Sequence, residues 1–211
     1  MADICPTVTA YDLTEFQAQL DRIKPFAQRI HIDLMDGDLA PTKSPDVSEI
    51  SLPAGIICDI HLMYRRPMEQ LTRLVALKPN MVIVHAEAEL DHQQFVAGLH
   101  QAGVQAGLAL LQSTTVQNAK PFFEFYDHIL IFSGDLGHHG GQADLGLLDK
   151  VQAVLGDHPA LDIGWDGGIN DANAAALVKG GVEVLNVGSY IQGAADPKAA
   201  YATLKSIVKK A

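Results

Sequence analysis

Eight short apolar runs, rich in Val, Ile and Leu, alternate with amphipathic stretches along all 211 residues, and this rhythm restricts the fold more than any other feature. Candidate strands fall at residues 4–9, 29–34, 55–62, 80–85, 105–111, 128–132, 161–165 and 182–187. Helical patterns between them cover 13–23, 67–77, 92–102, 145–155, 171–178 and 197–209. A weaker helical pattern runs over 115–125, and 41–51 reads as loop with a short turn. Strands separated by helices pair in parallel through crossovers. Eight such units close most naturally into an α/β fold of the (β/α)8 TIM-barrel type. A doubly wound open sheet is the competing architecture. No linker, low-complexity tract or charge run divides the chain, so residues 1–211 are expected to form a single barrel domain.

The second run is the most informative. Arg29 to Gly37 alternates strictly, so Ile30, Ile32 and Leu34 share one face of a strand while His31, Asp33 and Met35 share the other. In a barrel the first set packs under helices and the second points inward. A buried His–Asp pair is costly unless it is satisfied; a local His–Asp hydrogen bond or a bound metal would each do so. The third run repeats the pattern, with Asp59 and His61 opposite Ile60 and Leu62, and Asp166 ends the seventh. His31, Asp33, His61 and Asp166 form a mixed N/O set suited to one divalent ion such as Zn2+, Mn2+ or Fe2+. Catalytic groups of this fold sit at the C-terminal ends of the strands.

Glycines mark the other half of the site. Gly167-Gly168 follows the seventh run and Gly188-Ser189 the eighth, where barrels of this class often hold phosphate. Gly140-Gly141, in a glycine-rich stretch at 137–142, are placed to fold over a substrate as a lid. With 15 basic against 25 acidic residues the net charge is −10, which argues against nucleic acid and anionic membranes as partners. Two cysteines make no disulfide framework, no run of about 18 apolar residues exists for a membrane span, and residues 1–6 lack a secretory leader pattern, so the expected setting is cytoplasmic.

Seven motifs together resemble the ribulose-phosphate 3-epimerase family: His-Ile-Asp-Leu-Met-Asp-Gly (31–37), Asp-Ile-His-Leu-Met (59–63), Val-His-Ala-Glu-Ala (84–88), Gly-Leu-Ala-Leu (107–110), Gly-Gly-Gln (140–142), Asp-Gly-Gly-Ile-Asn (166–170) and Val-Gly-Ser (187–189). The Lys-containing acidic motif of the related hexulose-phosphate synthases and decarboxylases is absent from the third strand. The resemblance implies a barrel of the ribulose-phosphate-binding type and a homo-oligomer. It implies one divalent metal on His31, Asp33, His61 and Asp166, with Asp33 and Asp166 as the acid/base pair. It also implies a sugar phosphate held by Thr9, Met35, Met63, Gly140, Gly141, Gly167, Gly168, Gly188 and Ser189. The activity implied is inversion at C3 of D-ribulose 5-phosphate and D-xylulose 5-phosphate. Such chemistry needs two proton-transfer groups on opposite faces of an enediolate and a cation beside its oxygens.

Several stretches depart from the family pattern. Thr9 stands for a substrate-contacting Ser, Tyr11 for an Asp, Leu111-Gln112 for Asn-Pro and Phe132 for a Met, and the loop at 133–142 is one residue longer. These changes keep two alternatives open: the same chemistry on another sugar phosphate such as allulose 6-phosphate, or a non-catalytic sugar-phosphate or metal-binding protein. Arg65 and Arg66 read either as a lure for an anionic substrate or as a solvated pair, and His138 and His139 as an exposed lid pair. His85 and Glu87 are expected to hydrogen-bond near the site. His92, His100, His128 and His158 are expected at the surface or at caps, and Trp165 among the helices.

Overall fold

A computed structural model describes residues 2–211. Eight parallel strands close a barrel in sequence order: β1 (Asp3–Thr9), β2 (Arg29–Met35), β3 (Ile57–Met63), β4 (Met81–His85), β5 (Gln105–Leu110), β6 (His128–Phe132), β7 (Asp162–Asp166) and β8 (Val184–Val187). Outside it lie α1 (Leu13–Ile23), α2 (Leu71–Leu77), α3 (His92–Gln101), α4 (Val116–Ala119), α5 (Leu148–Asp157), α6 (Ala174–Lys179), α7 (Ser189–Gln192) and α8 (Pro197–Val208). No described helix is long and apolar enough to cross a membrane.

Local chemistry sets the element ends. Asp12, Asp91 and Asp196 cap α1, α3 and α8 by accepting backbone N–H groups of the first turn. The helix expected from 171 begins only at Ala174, because Asn170 and Asn173 side chains accept the N–H groups of Ala172 and Asn170, both at 2.9 Å, and hold a turn. The 145–155 pattern opens as a 3₁₀ turn (Leu145–Leu147) before α5. The 115–125 pattern splits into α4 and a 3₁₀ segment (Lys120–Phe125) that carries Pro121. No helix joins β2 to β3, in keeping with the loop read at 41–51. The short α7 carries no apolar period long enough to be seen in sequence.

Alternation along the strands divides the apolar residues. Ile30, Ile32, Leu34, Ile60, Leu62 and Trp165 join the large core under the helices, whereas Met81, Ile83, Ala109 and Leu130 fill the barrel itself. Arg29 meets Asp59 at 2.6 Å and His128 meets Asp162 at 2.9 Å near the N-terminal ends of the strands. The C-terminal ends of the strands therefore sit above an apolar plug with a polar base. Two histidine expectations fail here. His128 is inside the barrel, and His92 is buried, bonded to the Tyr126 hydroxyl at 2.7 Å and stacked on Phe122. Both lie beside aromatic or acidic partners distant in sequence, which no local pattern announces.

Candidate active site

Register brings the chemistry together. β2 and β3 pair with Asp33 opposite His61, β1 places Thr9 opposite Asp33, and β7 sets Asp166 beside Phe132 on one side and Asn186 on the other. Four side chains from three strands converge as a result: one donor atom each from His31, Asp33, His61 and Asp166 lies within 4.8 Å of the others. His31 Nε2 stands 3.3 Å from Asp33 Oδ1 and 3.5 Å from Asp166 Oδ2, while His61 Nδ1 stands 3.1 and 3.5 Å from the same oxygens.

The set fits a divalent cation on the chemistry of its donors. Both imidazoles are wholly buried, and neither ring nitrogen of His31 has a hydrogen-bond partner among the described residues, although Nε2 faces two carboxylates. A buried polar atom left in this state is costly, and a cation shared with the carboxylates removes the cost at Nε2. Without the cation, protons take its place. Burial acts to lower the His31 pKa, but the Asp166 and Asp33 carboxylates outweigh it and push it up to about 10; His61 is raised for the same reason. Burial acts to raise Asp33 and Asp166, and the two imidazoles more than offset it, holding both below the usual carboxylate range.

Behind His61 runs a chain of contacts. His61 Nε2 is 2.8 Å from His85 Nε2, and His85 Nδ1 is 3.3 Å from Glu87 Oε2. The other Glu87 oxygen accepts the Thr114 hydroxyl and the Leu111 N–H. Burial first, and the neighbouring charge of His61, keep His85 below its ordinary pKa, so it sits neutral between them. If His61 Nδ1 offers a lone pair to a cation, its proton is on Nε2 and is donated to His85, whose own proton then lies on Nδ1 and is donated to Glu87. A single arrangement of protons satisfies the whole chain.

The pocket at the cluster is lined by Asp33, Met63, Phe132 and Asp166, by Thr7, Thr9 and Asn186, and by the strand-end residues Gly167, Gly168, Gly188 and Ser189. Gly137, His138, His139 and Gly140, from the loop after β6, line it as well. The covering loop is fastened: the Gly137 carbonyl accepts the Thr42 hydroxyl at 2.6 Å and the Tyr11 hydroxyl at 3.4 Å, and Leu136 packs on Met35, Ala40 and Met63. Gly167 and Gly168 can carry no side chain. Both have positive φ, and a Cβ on either would lie within 2.2 Å of the backbone of Gly134 or Ala143.

Two of the expected pocket residues lie elsewhere. Met35 is behind the wall, in contact with Ala40 and Met63, because β2 ends there and the chain turns away. Gly141 rests against the Gly134 backbone outside the lining. Arg65 and Arg66 are absent from the pocket and pair with Asp38 and Glu69, as a solvated pair would. Thr9 is present, but its hydroxyl is committed to Asp33 Oδ2 at 2.6 Å; the unpartnered hydroxyl belongs to Thr7. Thr7, Phe132 and Asn186 were missed as pocket residues. Thr7 shares the period-two parity of Thr9 along β1, and Asn186 is the one polar residue within β8.

A sequence profile described as the ribulose-phosphate 3 epimerase family matches residues 3–192. The chain is 26% identical to the cytoplasmic isoform of ribulose-phosphate 3-epimerase from Oryza sativa subsp. japonica, over 99% of this chain and 95% of that protein. It is 28% identical to the ribulose-phosphate 3-epimerase of Bacillus subtilis, over 97% of this chain and 99% of the relative. Among solved structures, 3-hexulose-6-phosphate synthase from Salmonella typhimurium superposes with a TM-score of 0.73 at 18% identity, covering 98% of each chain, a likeness of fold alone.

Proposed function

The chain belongs to the ribulose-phosphate 3-epimerase family, and from that premise we propose that it interconverts D-ribulose 5-phosphate and D-xylulose 5-phosphate by moving a proton at C3. The observation that carries the reading is the convergence of His31, Asp33, His61 and Asp166 at the open end of the barrel. Those four residues would hold one divalent cation, Zn2+, Mn2+ or Fe2+. When bound it supplies positive charge next to the substrate oxygens that become negative during enolisation.

The protein's own groups do the rest. Asp33 and Asp166 come from β2 and β7 and both line the pocket. One carboxylate takes the C3 proton from one face of the sugar, and the other returns a proton to the opposite face. Starting from one epimer Asp33 must be charged and Asp166 protonated; from the other the roles reverse. Both carboxylates retain slight solvent contact, 7% and 8% exposed, which allows their protons to be reset between turnovers. The Thr9 hydroxyl fixes the orientation of Asp33 by donating to its Oδ2. Met63 and Phe132 give an apolar wall that limits water around the planar intermediate. Backbone N–H groups of Gly167, Gly168 and Gly188, with Ser189, form the seat for the phosphate.

Turnover in D2O with the metal-loaded protein tests the proposal, using five- and six-carbon ketose phosphates. Two carboxylates on opposite faces require the first-formed product to carry deuterium at C3 while recovered substrate carries little. Absence of exchange with every ketose phosphate refutes the epimerase reading, and product that keeps the original hydrogen refutes the two-carboxylate mechanism.

A further inference from the structure

Asn186 has no role in the proton transfer just described, yet it lines the same pocket as Asp33 and Asp166. It lies on β8, paired with Asp166 on β7 and with Cys5 on β1, and two residues before Gly188. Its neighbours Leu185 and Val187 pack under the helices, so its own side chain points into the barrel. The residue is 2% exposed, and neither its amide oxygen nor its amide nitrogen has a hydrogen-bond partner among the described residues. The Thr7 hydroxyl on the adjoining strand is buried in the same pocket and has no partner among the described residues. Neither Lys nor Arg lines this pocket.

We propose that Asn186, assisted by Thr7, binds the substrate hydroxyl that lies between the reacting carbon and the phosphate, and so selects the configuration at that carbon. The assignment rests on the epimerase reading for its choice of substrate. An amide offers both donors and an acceptor, and a sugar hydroxyl offers the complement, so one hydroxyl satisfies both orphaned atoms. Position selects which hydroxyl. Asp166 beside it addresses C3, and Gly188-Ser189 beyond it addresses the phosphate on C5, leaving C4 over Asn186. A site built to bond a hydroxyl rejects a ligand that presents it wrongly, because the buried amide is then left unpaired.

The near-isosteric Asn186→Leu removes both polar atoms and Thr7→Val removes the hydroxyl. Each variant is compared with the metal-loaded wild type in thermal stability, metal content, affinity for a pentitol 5-phosphate, and kcat/KM on D-xylulose 5-phosphate and L-ribulose 5-phosphate, which differ only at C4. The expected result for Asn186→Leu is an unchanged or higher Tm with full metal content, since no hydrogen bond within the protein is lost. Pentitol phosphate affinity falls at least about tenfold, and the preference between the two C4 epimers shrinks. Thr7→Val weakens the same affinity and decides the matter if the Leu variant does not fold. Unchanged affinity and unchanged C4 preference overturn the proposal, as does a lowered Tm with ligand affinity intact, the mark of an amide satisfied by trapped water. If the wild type turns over neither ketose phosphate, the epimerase reading fails while the affinity comparison still judges Asn186. Failure of the wild type to bind the pentitol phosphate overturns both.

Discussion

Replacing Glu87 with Gln tests whether the chain behind His61 controls the cation site from a distance. Glu87 touches neither His31 nor the two aspartates; it reaches them only through His85, 3.3 Å away, and His61, a further 2.8 Å along. A glutamine bonds Thr114 and Leu111 as the carboxylate does only if its oxygen faces them, which turns its NH2 toward His85 Nδ1. His85 must then accept at Nδ1 and carry its proton on Nε2. That proton faces His61, whose own proton is driven to Nδ1, the atom that stands 3.1 Å from Asp33. An imidazole protonated there cannot ligate. The opposite amide orientation preserves the His85 bond but sets NH2 against the Leu111 N–H. Either outcome is a defect of the size seen when outer partners of metal-bound histidines are removed, about 10–100-fold in metal affinity, or about 1.4–2.7 kcal/mol. The surrounding loop should survive, because Lys150 Nζ separately binds the Leu111, Gln112 and Thr114 carbonyls at 2.7–2.8 Å. Competition of the metal-free protein with a chromophoric chelator for Zn2+ or Co2+ gives the affinity, and a thermal melt checks the fold. A dissociation constant within twofold of wild type, in a variant that melts normally, refutes the relay.

Asp166→Asn should abolish solvent-derived deuterium at C3 and leave the melting temperature within a few degrees, since an amide fits the same space; near-full turnover in that variant would sink the two-carboxylate scheme. Metal binding near pH 7.5 should release at least about one proton, measured by calorimetry in buffers of different ionisation enthalpy, because His31 is pushed up to about 10 and His61 is raised in the metal-free protein whereas the imidazole ligands must be neutral. Metal affinity therefore climbs with pH. The His31 contribution to metal-free stability runs the other way, complete below the ordinary histidine value and fading as pH rises through about 10; release of less than half a proton contradicts both statements. Gly168→Ala should raise KM roughly tenfold with metal affinity unchanged, because a side chain there meets the Ala143 amide at 2.0 Å and φ is +72°; a KM equal to wild type would show that this turn does not seat the phosphate.

The architecture was legible because each strand carries its own period. His31, Asp33 and Ile32 declare their faces within three residues, and β2 needs no tertiary information to put the first two indoors. What alternation cannot supply is height and register. It put Met35 on the inner face, yet Met35 passes behind the wall, and Thr9, named on the family resemblance, is bonded to Asp33, since distance along the barrel axis depends on strand pairing. The relay through His85 was visible only as a polar neighbour of the site, because its 2.8 Å contact with His61 joins residues 24 apart in sequence. His128 and His92 were misread for a related reason: a histidine buried against Asp162 or Tyr126 has the same local sequence as an exposed one. Asn186 stood in the sequence as the polar residue of an apolar strand, but only the absence of any partner for both its amide atoms gives that fact meaning.

Anomalous diffraction from crystals of the protein loaded with Mn2+ or Zn2+ probes the shared cation site without depending on any substrate. The four-residue account predicts a single strong peak at the mouth of the barrel, in contact with His31 Nε2, His61 Nδ1 and one oxygen from each of Asp33 and Asp166. A peak that omits either aspartate, or strong peaks only on surface histidines such as His100 with the barrel mouth bare, would contradict it.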